Sequence, residues 1–181
     1  MSKLRVATKA LLVMGILGAF IPSAVAERVV GRDGEISLPE DFRSTMAHLG
    51  SWYVPEGAAS GFHDVYLTRE AVGHFRRTGR FPDGAVLVKE LRAASGADYT
   101  TGQDVQSATG TVKQWFVMVK DGSGRFPENP LWGDGWGWAL FKPDDPTANL
   151  ASDYRTDCLG CHLPARDTDL VYIDAYPTLA R

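Results

Sequence analysis

Short apolar runs alternate with segments rich in glycine, proline and aspartate, and the spacing within each run predicts its secondary structure. Residues 113–120 form the clearest strand, because aromatic and branched apolar residues alternate there between two faces. The same pattern predicts strands over residues 62–67, 85–92 and 136–141. A last apolar run, residues 170–175, is expected to close the sheet.

Two segments carry a helical period instead. Residues 39–49 begin with a proline, which suits a first turn, and their apolar residues recur on one face. Thr68 is expected to cap a second helix that ends at Gly79. Residues 95–111 and 122–135 have little periodicity and are predicted to be loops. The fold class predicted from this pattern is α+β, with more strand than helix.

Both cysteines of the chain lie in one motif near its C-terminus, Cys158-Leu159-Gly160-Cys161-His162. A CxxCH run is typical of c-type haem attachment, in which each cysteine adds to a vinyl group and the histidine binds the iron. A zinc site needs about four ligands, and no second CxxC is present. A redox CxxC is expected beside a βαβ unit, and none precedes this motif. A structural disulfide across two intervening residues is seldom followed directly by a histidine. We therefore predict one covalent haem c, with His162 as the metal ligand, on a short C-terminal helix.

The N-terminus has the pattern of an export signal. Three basic residues precede an apolar run over residues 10–21, and Ser23-Ala24-Val25-Ala26 provides a small-residue cleavage site. The run of 12 residues is short for a bilayer span, which needs about 20 residues. We predict a signal peptide over residues 1–26, a single domain over residues 27–181, and a periplasmic mature protein without a membrane span.

Charge narrows the choice of partner. Removal of residues 1–26 lowers the 19 basic residues to 16 against 22 acidic residues, a net charge of −6. A nucleic-acid partner would favour a basic surface, so this class of function is disfavoured.

The position of the motif bears on the sixth iron ligand. In small electron-carrier cytochromes the motif lies near the N-terminus and a downstream methionine binds the iron, whereas here no strong ligand follows His162. The upstream candidates are Met46, Met118, His48, His63, His74 and Lys89. Each has an ordinary structural explanation, so an open sixth position is predicted. An open position implies ligand binding or chemistry, and a filled one implies electron transfer through a six-coordinate haem.

Several segments together resemble the cytochrome P-460 family. They are residues 72–84 with their FPDG turn, 85–91 with VKEL, the aromatic strand 135–141, the CxxCH motif, and residues 168–172 and 176–177. The resemblance implies a predominantly antiparallel β-sheet with short helices, one haem c per subunit and a homodimer. It also implies a small-molecule ligand and, for the oxidising members, an electron-acceptor cytochrome as partner.

The family resembled here contains two activities. Its namesakes oxidise hydroxylamine and carry a lysine bonded to the porphyrin, whereas the related cytochromes c′-beta bind nitric oxide and carbon monoxide in a phenylalanine-lined pocket. Lys89 matches the position of the crosslinking lysine. Strand parity independently places Lys89 on an apolar face with Leu87 and Leu91, where it either snorkels from the sheet edge or contacts a buried group.

Phe116 favours the other activity. In this resemblance its position matches the carboxylate that relays protons in the hydroxylamine oxidisers, and a phenylalanine cannot act as a base. Asp104 or Asp121 could compensate, and Phe116 could also be simple core. The resulting hypothesis is an exported mono-haem cytochrome that oxidises or reduces hydroxylamine or nitric oxide. Non-catalytic binding of nitric oxide or carbon monoxide is the alternative, and electron transfer is the third.

Overall fold

The computed structural model describes residues 26–180, and the predicted signal peptide lies outside it apart from Ala26. The strands and helices in chain order are α1 (Ala26–Val29), α2 (Phe42–Thr45), β1 (Ala47–Val54), β2 (Gly61–Leu67), α3 (Arg69–Thr78), β3 (Val86–Tyr99), β4 (Gly102–Lys120), β5 (Trp132–Gly133), β6 (Trp136–Phe141), a π-helical turn (Arg155–Leu159), α4 (Gly160–His162) and 3₁₀ turns at Leu163–Thr168, Ile173–Ala175 and Pro177–Leu179. Within this range no helix has the length and apolar character needed to cross a membrane.

The six strands form one antiparallel sheet in the order β1-β2-β3-β4-β6-β5. Most neighbouring strands are also consecutive in sequence, as expected for short connections. The predicted α+β class with a predominantly antiparallel sheet is confirmed. The register aligns Val65, Lys89, Phe116 and Leu140 in one row across the four central strands.

Each face of the sheet buries its own apolar cluster. One cluster contains Val86 and Val88 of β3 and is covered by the N-terminal segment around Phe42. The other contains Leu87 of β3 and is covered by α3 and by the C-terminal turns. Because side chains alternate along a strand, Lys89 lies on the second face. The site is therefore built between this face and the C-terminal segment.

Helix α3 follows the prediction for residues 68–79 with one difference. Gly79 adopts a left-handed conformation (φ 74°) and ends the helix, as predicted. The Thr68 side chain, however, does not cap the helix. Its hydroxyl instead accepts a hydrogen bond of 3.4 Å from the Val86 amide, which joins the start of α3 to β3.

The helix predicted over residues 39–49 is wrong. Only the four residues of α2 are helical, and β1 begins at Ala47 to pair with β2. Phe42 and Met46 pack in the cluster on one face of the sheet, whereas Leu49 packs in the cluster on the other. Their spacing imitates a helical stripe because the chain passes from one face to the other within these residues.

The loop predicted over residues 95–111 is also wrong, because β3 and β4 pair as far as Tyr99 and Gly102. Much of this ribbon is exposed on both sides, so its few apolar residues do not alternate in a way that marks a strand. The predicted loop over residues 122–135 is interrupted by the short strand β5. The strand predicted over residues 170–175 is absent: Leu170 has a φ of 63°, and a 3₁₀ turn follows at Ile173–Ala175.

Candidate functional site

A cavity of about 380 Å³ lies between the sheet and the C-terminal segment. The sheet lines it with Trp52, Val65, Leu87, Lys89, Gln114, Phe116, Met118, Trp138 and Ala139. The C-terminal segment lines it with Asp157, Cys158, Cys161, His162, Leu170, Val171, Tyr172 and Tyr176, and Ala58 and Ala59 complete the wall. Protein interiors contain few voids larger than a water molecule, so a cavity of this size indicates a site for a bound group.

The CxxCH motif spans the junction between the π-helical turn and α4. Residues three apart on a helix are neighbours, so this geometry directs Cys158 and Cys161 toward the same cavity. Both thiols are free, and Cys158 is the more buried of the two. Burial, assisted by the nearby Asp157 carboxylate, raises the pKa of the Cys158 thiol to about 11.

His162 is held in one orientation. Its Nδ1 lies 2.8 Å from the Leu170 carbonyl oxygen, which can only accept a hydrogen bond. Nδ1 therefore carries the proton, and the Nε2 lone pair is free to bind a metal. The edge of the ring packs on Trp138, with the centroids 4.9 Å apart. Burial lowers the pKa of His162, which favours the neutral imidazole that a metal requires.

Lys89 extends from the central strand β3 into the same cavity. Its amine nitrogen lies 4.1 Å from the centre of the Phe116 ring, the residue paired with it on β4. Burial lowers the pKa of the Lys89 amine, and the Cys161 and Cys158 thiols oppose this effect. The snorkelling alternative is therefore not what the structure shows, since the amine faces the cavity.

Phe116 faces the cavity from the middle of the sheet, between Lys89 and Leu140. The two tryptophans of β6 have different environments. Trp138 packs against His162 and therefore lines the part of the cavity next to this histidine. Trp136 is fully buried, and its indole nitrogen donates a hydrogen bond of 3.0 Å to the Asp169 carbonyl.

The structure places the six candidates for a sixth iron ligand in different surroundings. Met46 belongs to the cluster on the opposite face of the sheet. His48 contacts Ser51, and His74 lies on α3 outside the cavity wall. His63 is buried, stacks on Trp52 and places its Nε2 2.7 Å from the Ala59 carbonyl. Of the six, Met118 and Lys89 line the cavity.

The two acids considered as substitutes for a distal base do not reach the cavity wall. Asp104 lies in the exposed ribbon, where its carboxylate contacts Gln106. Asp121 follows the far end of β4 and pairs with Arg125 at 2.9 Å. Asp157 is the one acid on the described wall. Hydrogen bonds from the Ser152 and Asp153 amides lower the pKa of this carboxylate, which makes it a weak base.

Sequence reasoning missed several wall residues. Gln114 could have been found from strand parity, because it lies two residues before Phe116 on the same face. Trp52 was missed because β1, which carries it, was not predicted. The hydroxyl of Tyr172 donates a hydrogen bond of 2.6 Å to the Cys161 carbonyl. The signals for this residue were its closeness to the motif and the family resemblance of residues 168–172.

The residues present fit a haem. Two thiols and one imidazole face a single cavity whose other walls are mostly aromatic and aliphatic. This set supplies both attachment points and an axial ligand, and a largely apolar wall suits a planar macrocycle.

A family model described as Cytochrome P460 matches residues 39–173. The chain belongs to the cytochrome P460 family. The resemblance deduced from the sequence segments is thereby confirmed, and the family implies a haem cofactor. None of the curated proteins matches it. Within the cytochrome P460 family match lie both the CxxCH motif and the strands that carry Lys89 and Phe116.

Proposed function

We propose that Cys158 and Cys161 hold one haem c covalently and that His162 binds its iron. The support is the convergence of the three side chains on one cavity and the fixed tautomer of His162. When bound, the haem supplies an iron centre that coordinates small ligands and exchanges one electron.

The activity supported best is reversible binding of a small neutral ligand, nitric oxide or carbon monoxide, at an open sixth position. The observation that carries this proposal is the wall itself. Phe116 occupies its middle, and Asp157, the one acid among the described wall residues, is engaged by backbone amides. Oxidation of hydroxylamine requires removal of protons by a base within hydrogen-bond reach. An apolar wall instead excludes water and favours neutral diatomic molecules.

Gln114 adds a polar contact to this wall. It faces the cavity beside Phe116, and its side-chain amide makes no hydrogen bond to another residue of the described chain. An unengaged amide is available to donate a hydrogen bond to a bound ligand. The Gln114 amide and the Lys89 amine would then be the donors offered to a ligand on a largely apolar wall.

Lys89 favours hydroxylamine oxidation as a second candidate function. Its amine faces the cavity, and burial lowers its pKa, so a larger share is neutral and nucleophilic. Once both thiols become thioethers, the opposing effect of Cys161 and Cys158 is removed. A bond to the porphyrin would replace an amine N–H and a porphyrin C–H by one C–N bond. The two protons and two electrons that are removed require a two-electron oxidant such as a peroxide.

Intact mass and ligand titration of the purified protein distinguish the two candidates. We expect the mass of an ordinary haem c adduct, saturable binding of nitric oxide to the ferrous form, and no sustained oxidation of hydroxylamine. A mass lower by two hydrogens, lost in Lys89→Ala, would show a crosslink. If that species also oxidises hydroxylamine, the second candidate replaces the first.

The proposal also includes the cellular setting. We propose that the protein is exported to the periplasm after cleavage following Ala26 and that it forms a homodimer. Under the second candidate, an electron-acceptor cytochrome would receive the electrons. Size measurement in solution and N-terminal sequencing of the mature protein test the first two statements directly.

A further inference from the structure

The residue that accepts the His162 hydrogen bond lies in an unusual turn. Asp169 and Leu170 both adopt left-handed conformations, with φ values of 60° and 63°. This region is uncommon for residues other than glycine, and for a bulky leucine it is an outlier. Leu170 nevertheless contributes to the site in two ways. It lines the cavity, and its carbonyl oxygen lies 2.8 Å from His162 Nδ1.

The far end of the sheet holds this turn in place. Trp136 donates its indole N–H to the Asp169 carbonyl at 3.0 Å, and the Lys120 amine donates to the Asp169 carboxylate at 2.7 Å. Lys120 and Trp136 are paired residues on β4 and β6, and the lysine amine lies 4.8 Å from the indole ring. Lys120 is only 13% exposed, so its ion pair is screened less than a surface pair.

The two contacts lock the residue that precedes the hydrogen-bond acceptor. Strained backbone persists only where its surroundings over-determine it. Here the Asp169 carbonyl and carboxylate are both engaged, and the Leu170 amide donates to the Ala165 carbonyl at 2.8 Å. The direction of the Leu170 carbonyl is consequently fixed from outside the haem cavity.

We propose that Lys120 is a positioning residue that holds the Leu170 carbonyl on His162 and thereby sets the strength of this histidine as an iron ligand. The inference rests on the proposed function, in which His162 binds the haem iron. A hydrogen bond accepted from Nδ1–H makes Nε2 more basic. A more basic axial ligand stabilises ferric iron over ferrous iron, so loss of Lys120 raises the reduction potential.

The test uses the haem-loaded protein and the substitution Lys120→Met, which keeps the side-chain length but removes the donor and the charge. We expect the iron–histidine stretching frequency of the ferrous form to fall. We also expect the ferrous-to-ferric ratio at a fixed potential to rise about tenfold, which is 59 mV for a one-electron couple. Lys120→Arg should restore most of both values.

The matched control is Arg125→Met, which removes another ion pair, to Asp121 at 2.9 Å, near the same end of β4. It should leave both readouts at their wild-type values. If Lys120→Met folds poorly, Asp169→Asn removes the charge while keeping a residue that tolerates the left-handed conformation. It is expected to give the same direction of change.

The outcomes separate this inference from the proposed function. A wild-type protein without a histidine-bound haem would overturn both. A wild-type iron–histidine band that neither Lys120→Met nor Asp169→Asn shifts would overturn the positioning role alone. A loss of thermal stability with unchanged frequency and potential would equally overturn it, because Lys120 would then act only on the fold.

Discussion

Phe116→Glu places a carboxylate in the middle of the cavity wall. It tests the argument that the wild-type protein binds ligands, and does not oxidise hydroxylamine, because this wall lacks a base. Phe116 is paired with Lys89 on β3, and its ring lies 4.1 Å from the lysine amine. The described wall has no other acid than Asp157, which backbone amides engage. The substitution therefore supplies the one group that proton removal from hydroxylamine requires.

The expected gain follows from two opposing effects. A positioned general base contributes about 10²–10⁴ in rate. A carboxylate beside Lys89, however, favours the protonated form of the lysine, and the resulting ammonium would attract it. Opposite charges about 4 Å apart attract by ~4 kcal/mol at an effective dielectric constant of ~20, which corresponds to ~3 pKa units. A lowered pKa weakens a base, so we expect the rate of hydroxylamine oxidation to rise by about 10²-fold, the lower end of this range.

The assay measures hydroxylamine oxidation by the haem-loaded protein with an artificial electron acceptor. Phe116→Gln is the matched control, because it has a similar polar shape without the basic carboxylate, and it should stay near the wild-type rate. The reasoning is refuted if the wild-type protein already oxidises hydroxylamine and Phe116→Glu does not accelerate it. A base elsewhere would then be in use.

Three further predictions concern attachment, pH and coordination. Cys158→Ala and Cys161→Ala should each leave one thioether, seen as a shifted pyridine haemochrome band, and the double substitution should release haem into acid-acetone; retained haem would contradict this. Burial lowers the pKa of His63 in the folded protein. The stability that the neutral His63 side chain contributes is therefore complete above the unfolded pKa of about 6.5. This contribution falls as the pH drops from there toward the lower folded pKa. Denaturant melts of His63→Phe should therefore lose less stability on acidification than the wild type, with His74→Phe as the control for loss of an imidazole. Met118→Ala should leave the ferric spin state unchanged, whereas conversion of a low-spin to a high-spin spectrum would identify Met118 as a ligand.

The central part of the fold was predictable because its strands are continuous apolar runs or alternate clearly between residues of the two faces. Residues 113–120 and 136–141 lie in inner strands of the sheet, where every side chain is buried or half-buried. The motif residues were predictable because the chemistry of haem attachment fixes their spacing. The apolar environment of Lys89 also followed from parity alone.

Other features depend on pairing that a local pattern does not encode. The outer ribbon of β3 and β4 is stabilised by backbone hydrogen bonds in solvent, so its side chains carry no period. The contact of Lys89 with Phe116 depends on the register of two strands far apart in sequence. The local sequence around Leu170 predicted a strand. Its positive φ instead follows Asp169, which Lys120 and Trp136 contact from two distant strands.

The central claim is a haem c held by Cys158 and Cys161, bound through His162 and open at its sixth position. The optical spectrum of the purified protein, recorded in the ferric and ferrous states before and after acid-acetone extraction, tests it most directly. The account predicts haem that stays with the protein, a largely high-spin ferric spectrum, and a ferrous spectrum that changes on addition of carbon monoxide. Haem that extracts freely, or a low-spin spectrum that carbon monoxide does not change, would contradict it.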